Sequence, residues 1–267
     1  MAKVSWVFRR EPSDALMKPS QVTPVGLTLQ GTAIGLLLVF RTNNSYQRLA
    51  EARALWGKAI YLVRELMQGV STVLDTRRGE RLPPSAASVQ LGRYCAAFGW
   101  VLKARLREGD EVADVLGAVL PAAEAEWLAS RRNVPVELIG CMRRTVYAEY
   151  ERGRVPAHVH YKLEDDLRQL DLVVGGCERL FASPIPPTMS RHVVRSLALW
   201  LLTLPVVLVG QLSPPLVLFY VAATSYIYVG IEELGVQVEQ PFDILPMFQM
   251  AHVIASSAED ALVAQAE

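Results

Sequence analysis

The feature that most constrains this chain is a run of 36 residues, from Ser196 to Ile231, without a charged side chain. A helix needs about 20 apolar residues to cross the hydrocarbon core of a bilayer, so this run is long enough for two crossings. The stretch from Gly210 to Pro215 divides the run, because proline cannot continue a helix and glycine favours a helix end. We therefore predict a hairpin of two membrane helices over residues 196–231.

A second uncharged segment extends over 19 residues, from Val22 to Phe40. A helix of that length spans roughly 28 Å, close to the thickness of a bilayer core. Small and polar side chains interrupt it, and these favour contact with other helices or with a water-filled path. We predict a membrane helix here, with a buried helix of a soluble domain as the alternative. The interrupting residues are Thr23, Gly26, Thr28, Gln30, Gly31, Thr32 and Gly35.

The region between these segments, residues 41–195, is rich in charged residues at helical spacing. Strand patterns are nearly absent, so the predicted fold is an all-α membrane protein with a helical region between its membrane segments. The arginine-rich region is expected on the cytosolic side or its equivalent, by the positive-inside tendency. Residues 1–21 and 232–267 form the terminal segments of this division. Further helices are predicted over Ser88–Arg107, Pro135–Glu151 and Ala157–Leu180, and one apolar helical face is predicted at Leu49, Ala52, Leu55, Trp56, Ala59, Leu62, Val63 and Leu66.

Charge and cysteine content narrow the function. The 27 basic and 27 acidic residues balance, and a nucleic-acid-binding chain would normally carry a basic excess on one face. Cys95, Cys141 and Cys177 lie dozens of residues apart, which favours buried thiols over a disulfide framework or a zinc site. We therefore expect no nucleic-acid partner.

The best enzyme candidate is the pair His158 and His160, with Glu164 and Asp165 nearby. Side chains two residues apart on a helix diverge, so the two imidazoles are poorly placed to share a metal. The sequence also lacks the GxSxG and HExxH motifs and a glycine-rich phosphate loop. We expect a chain that is not an enzyme, with no metal and no cofactor.

Three stretches resemble the bestrophin family, including its bacterial and plastid members. They are LLLVFRTNNSYQRLAEARALWG from Leu36, CERLFASPIPPTMSRHVVR from Cys177 and YVGIEELGVQVEQPFDILPM from Tyr228. All three occur in the family's order and together cover most of the chain. The resemblance implies a homo-pentamer with a central pore that passes chloride or another small anion, such as bicarbonate or nitrate, through the lipid bilayer.

The resemblance makes residues 22–40 the family's second, pore-lining helix. The first helix should precede it, and only residues 1–21 do. Three crossings would also place the two chain ends on opposite sides of the membrane. We therefore expect the chain to lack the first membrane helix.

The resemblance further implies an apolar pore neck at Val25, Leu29 and Ala33. Their spacing of four residues independently places them on one helix face. Rings of such side chains can gate a pore by dewetting, and the small Ala33 predicts a neck that widens at its inner end. The alternative is that the three side chains simply pack against a neighbouring helix.

The end of the same helix, Arg41, Thr42, Asn43 and Asn44, is the predicted pore mouth. Neutral donors and one positive charge suit an anion that must be held weakly enough to leave. Alternatively, Arg41 is an interfacial anchor whose side chain reaches toward lipid headgroups.

The resemblance to calcium-gated animal bestrophins fails after Pro241-Phe242. Those proteins have an acidic run there, whereas Asp243 is the single carboxylate among residues 243–248 of this chain. Calcium needs six to eight oxygen ligands, so we predict no calcium clasp of the animal kind. Glu232, Glu233 and Glu239 are expected to be solvated or salt-bridged.

Two other functions stay open at this point: a non-conducting accessory subunit, and a cation-conducting homologue of the bacterial type. The plastid-like motifs favour a chloroplast thylakoid membrane, with a bacterial inner membrane as the alternative.

Overall fold

The computed structural model of the protein describes residues 25–77, 80–107 and 111–263. The N-terminal segment over residues 1–21, and the question of a preceding helix, lie outside these ranges. The elements are α1 (Val25–Leu74), β1 (Thr76–Arg77), β2 (Glu80–Arg81), α2 (Ala86–Leu106), α3 (Val112–Val119), α4 (Ala122–Ala129), α5 (Val134–Glu151), α6 (Ala157–Ala182), α7 (Pro187–Leu208), α8 (Pro214–Gln237), α9 (Pro241–Ile244) and α10 (Met247–Val263).

The chain divides into two compact units. Within the described residues, one unit comprises 25–44 and 185–236, and we call it the membrane unit. The other comprises the described parts of 45–184 and 237–263, and we call it the extramembrane unit. The helices α1, α7 and α8 are long and apolar enough to cross a membrane. The all-α prediction is confirmed, with the two-residue antiparallel strands β1 and β2 as a minor exception.

The membrane unit is held together by one apolar cluster between α1 and α7. Ile34 and Leu38 of α1 are buried against Val193, Leu197 and Trp200 of α7. The turn between α7 and α8 lies between Leu208 and Pro214. Gly210 has a positive φ of 99° there, a conformation that glycine adopts without steric cost.

The extramembrane unit packs around α2. This helix contacts α10, α5 and α3, and its buried residues include Phe98 and Leu102. At Gly99 an added Cβ would lie 3.0 Å from the Cα of Ala251 on α10. The close approach of these two helices therefore depends on the missing side chain.

The N-terminus of α2 is fixed by side-chain capping. The Ser85 hydroxyl accepts a hydrogen bond from the Ser88 amide at 3.2 Å, and an Asp75 carboxylate oxygen accepts one from the Ser85 amide at 2.8 Å. These bonds satisfy amides that the helix itself leaves without partners. They also fix the chain where it returns from the β1–β2 hairpin.

The sequence located α2, α5 and α6 to within two residues of their observed bounds. The helix expected to end near Phe40 instead continues to Leu74, because no glycine or proline interrupts residues 41–56. Four further helices, α3, α4, α9 and α10, were not predicted. The first three have eight residues or fewer, too few to show a helical period clearly.

Candidate pore helix and its supports

The three predicted neck residues lie on the uncovered face of α1. Val25 is 63% exposed and Leu29 is 68% exposed within this chain, and Ala33 is exposed as well. At about 100° per residue they fall within a sector of roughly 80°. The side chains that α1 buries, Ile34 and Leu38, lie on the other side of the helix. The stripe therefore lies on the side of α1 opposite to its contact with α7.

Trp200 fixes the packed side of α1 at the level of this stripe. Its indole N–H donates a hydrogen bond to the Leu27 carbonyl oxygen at 2.9 Å. Its ring lies so close to Gly31 that an added Cβ would be 2.8 Å from the ring. Tyr228 of α8 backs the indole, with ring centroids 5.1 Å apart. Trp200 is therefore packed inside the membrane unit.

A buried ion pair fixes the other end of this segment. The Arg41 guanidinium donates to both carboxylate oxygens of Glu232 on α8. Arg41 is 3% exposed, so the pair lies inside the membrane unit. Charges removed from water in this way are stable only when paired and hydrogen-bonded.

The members of the predicted pore mouth therefore separate into two groups. Arg41 faces inward, where Glu232 neutralises its charge, so the guanidinium is not presented at the surface of this chain. The Thr42 hydroxyl donates to the Leu38 carbonyl at 2.9 Å, and an added Cβ at Gly235 would lie 3.4 Å from that hydroxyl. Asn43 and Asn44 are exposed.

Asn43 shares the helix face of the neck stripe. It lies 18 residues after Val25, which is five turns at 3.6 residues per turn. Asn44 is rotated by about 100° from Val25 but by only about 20° from Ala33, at the other edge of the stripe. Of the four residues, Asn43 and Asn44 thus continue the apolar stripe as polar groups.

Sequence reasoning did not assign the supports of the helix, namely Gly31, Trp200 and the pairing of Glu232 with Arg41. One signal for the ion pair was present. Arg41 directly follows one uncharged segment and Glu232 directly follows the other. A charged side chain at the end of an apolar helix needs either an oppositely charged partner or water, and here the two residues can pair with each other.

In the extramembrane unit, two arginines bind main-chain carbonyls, one at the α8–α10 connection and the other at the C-terminus of α6. Arg107 donates through Nη2 to the carbonyl oxygens of Phe242 at 2.6 Å and Asp243 at 2.9 Å. Arg48 donates to those of Leu180 at 2.7 Å and Ser183 at 2.8 Å, at the C-terminus of α6. A guanidinium thus satisfies carbonyls that a helix end leaves without partners.

The described residues contain no group of three His, Cys, Asp or Glu side chains placed to hold a metal ion. His160 stacks on Tyr150 with ring centroids 4.5 Å apart. Burial raises the pKa of the Cys95 and Cys177 thiols to about 12, so both are protonated at neutral pH. His160, Cys95 and Cys177 are therefore best described as packing residues.

These features define a class: an α-helical membrane protein whose first described span presents an uncovered apolar stripe and is fixed from behind by an indole and an ion pair. The chain matches the Bacterial/Fungal Bestrophin protein family over residues 6–260. It belongs to the bestrophin family.

Two relatives whose names state a channel function match this chain at the same sequence identity. A voltage-dependent anion channel-forming protein of Synechocystis is 29% identical over 235 residues, which cover 85% of this chain and 74% of that protein. The chloroplastic voltage-dependent chloride channel 2 of Arabidopsis thaliana is 29% identical over 243 residues. That match covers 91% of this chain and 57% of the plant protein.

Solved structures show the same fold. The crystal structure of a bacterial bestrophin homolog from Klebsiella pneumoniae superposes with a TM-score of 0.83 at 27% identity. The match covers 91% of this chain and 88% of that one.

Proposed function

We propose that this protein is a subunit of a bestrophin-type anion channel and that α1 lines its pore. The observation that carries the proposal is the exposed stripe of Val25, Leu29 and Ala33, on a face of α1 that no other helix among the described residues covers. The named functions of the relatives, anion and chloride channels, support it.

The stripe becomes a neck if several copies surround one axis. We propose a homo-pentamer, in which Val25, Leu29 and Ala33 would each form a ring of five apolar side chains. Such rings conduct when water fills them and stop conducting when they dewet, so small changes in diameter gate the pore. The Ala33 ring would be the widest of the three.

The proposed selectivity rests on polar groups past the neck. Asn43 and Asn44 lie at the two edges of the stripe, and their side-chain amides can donate to an anion without holding it tightly. Arg41 is better described as a positioning group, because its charge is already neutralised by Glu232. The physiological anion is proposed to be chloride, with bicarbonate or nitrate as further substrates of the same pore.

For the division of the chain, we propose that residues 22–40 and the 196–231 hairpin lie in the bilayer. Residues 41–195 and 232–267 would lie on its cytosolic or stromal side. The thylakoid is the proposed compartment and a bacterial inner membrane is the alternative, since chloroplastic and bacterial relatives both match at 28–29% identity. Import of a tagged chain into isolated chloroplasts tests the thylakoid assignment.

A flux experiment tests the proposal. The purified chain is reconstituted into liposomes loaded with chloride, and efflux is followed with an electrode for the chain, for Leu29→Ala and for Leu202→Ala. Leu202 is a matched control because it is an exposed leucine of the membrane unit on α7, away from the stripe. We expect chloride efflux that Leu29→Ala increases and Leu202→Ala leaves unchanged.

Two other results would contradict the proposal. Efflux of potassium in place of chloride would indicate a cation-conducting homologue. Absence of any efflux from a correctly assembled oligomer would indicate a non-conducting accessory subunit.

A further inference from the structure

A groove in the extramembrane unit concentrates arginines away from the pore helix. It lies between α2, α4 and α5 and has a volume of about 490 Å³. None of the neck or mouth residues contributes to it. Ion conduction along α1 therefore does not explain why arginines are concentrated in this groove.

The floor of the groove is one face of α5, on which a small alanine lies between two arginines. Arg144, Ala148 and Arg152 follow each other at spacings of four residues along α5 and its C-terminal cap, so they share one face. The small Ala148 leaves space between the two arginines, which are about 12 Å apart along the helix. Ala86 and Ala87 of α2 line the groove without filling it.

The positive charges of this floor are only partly compensated. Arg152 and Arg154 both form salt bridges with Glu149, whose side chain is 2% exposed. One carboxylate thus balances two guanidiniums. The hydrogen bond that Arg144 makes is to the Cys141 sulfur at 3.1 Å, and a thiol is a weak acceptor. Arg144 can therefore take an anion without first breaking a strong ion pair.

The wall of the groove that α2 and α4 form has the opposite preference. The Glu124 carboxylate accepts hydrogen bonds from the Tyr94 hydroxyl and, at 3.0 Å, from the Gln90 amide. A second anionic group would be repelled here, whereas a hydroxyl can donate to the remaining lone pairs. Trp127, 40% exposed, lies along the groove, and the Arg131 guanidinium covers its ring at 4.6 Å.

We propose that this groove binds a small hydroxylated organic anion. Its phosphate or carboxylate group would be held by Arg144, because a guanidinium forms two parallel hydrogen bonds to such a group, and Arg152 would add positive charge to the same floor. Its hydroxyl groups would reach toward Glu124, and its carbon skeleton would lie beside Trp127. The proposal concerns binding alone and does not depend on the proposed channel function.

Thermal unfolding of the full chain in detergent, as the assembled oligomer, tests the proposal. The probes are glucose 6-phosphate, citrate and glucose, each against sodium chloride of equal ionic strength. We expect glucose 6-phosphate or citrate to raise Tm saturably and glucose to have no effect. The probe that binds identifies phosphate or carboxylate as the preferred group.

Matched variants locate the site. Arg144→Gln removes a charge-assisted hydrogen bond, so apparent affinity should fall about tenfold or more. Arg132→Gln is the control, since Arg132 is an exposed neighbour that does not line the groove. The ligand should also change tryptophan fluorescence, and Trp127→Phe should abolish that change. No saturable shift with either anion, or equal affinities for the two arginine variants, would overturn the proposal.

Discussion

Arg41 of α1 and Glu232 of α8 form a buried salt bridge between residues 191 positions apart in the chain. It joins the end of the uncharged part of α1 to the end of the uncharged part of α8. Removing one member of a buried pair leaves an uncompensated charge, which costs about 3–5 kcal/mol. Loss of either member is therefore expected to destabilise the membrane unit strongly.

We predict that Glu232→Gln lowers the free energy of unfolding by about 3–5 kcal/mol, because the guanidinium stays buried without its counter-charge. The control is Glu233→Gln, which alters an exposed carboxylate next in sequence. Thermal or denaturant unfolding of the purified oligomer measures the effect. The double variant Arg41→Gln with Glu232→Gln should be less unstable than the sum of the two single variants. Equal stabilities for the Glu232 and Glu233 variants would contradict this account.

A methyl group at Gly31 should disturb the helix that carries the neck. Its Cβ would lie 2.8 Å from the Trp200 ring, and a large indole cannot move aside in a packed core without loss of contacts. We expect Gly31→Ala to lower Tm and to alter chloride flux. Gly26→Ala is the control, since an added Cβ there meets nothing within 4 Å. Wild-type stability and flux for Gly31→Ala would show that the indole does not position α1.

Arg107 is expected to stabilise the α8–α10 connection without calcium. Arg107→Ala removes hydrogen bonds to the Phe242 and Asp243 carbonyls, and bonds to a charged donor contribute about 1.5–3 kcal/mol. Arg93→Ala, an exposed arginine on the same helix, is the control. Tm should fall for the Arg107 variant alone, and calcium or EGTA should leave Tm of the native chain unchanged. A rise in Tm with micromolar calcium would contradict the predicted absence of a clasp.

The buried thiols predict a specific chemical behaviour. Because burial raises the pKa of Cys95 and Cys177 to about 12, neither should react with a thiol reagent at pH 8 until the protein unfolds. The raised pKa values also determine how stability changes with pH. From the unfolded pKa of about 9 up to about 12, the unfolded state binds fewer protons, so these thiols make stability fall as pH rises. Rapid labelling of both cysteines in the folded oligomer would contradict the structure.

Much of the fold could be read from the sequence, because charge-free runs and helical periods are local properties. The 36-residue run and the break near Gly210 contain the information that sets α7 and α8. The inward orientation of Arg41 could not be read in the same way. It depends on Glu232, a partner 191 residues away, and no local pattern distinguishes a paired arginine from one that reaches toward headgroups.

The neck stripe illustrates the same limit. Spacing alone places Val25, Leu29 and Ala33 on one face, but both a pore and a packed helix pair use such a face. What favours the pore is that Trp200, Ile34 and Leu38 occupy the opposite side of α1, which requires the tertiary structure.

The reversal potential of the purified protein in a planar bilayer under a chloride gradient tests the central claim most directly. We predict a shift toward the chloride equilibrium potential, with a larger conductance for Leu29→Ala and an unchanged one for Leu202→Ala. A reversal potential on the cation side would contradict the claim of anion conduction, and equal conductances for the two leucine variants would contradict the assigned neck.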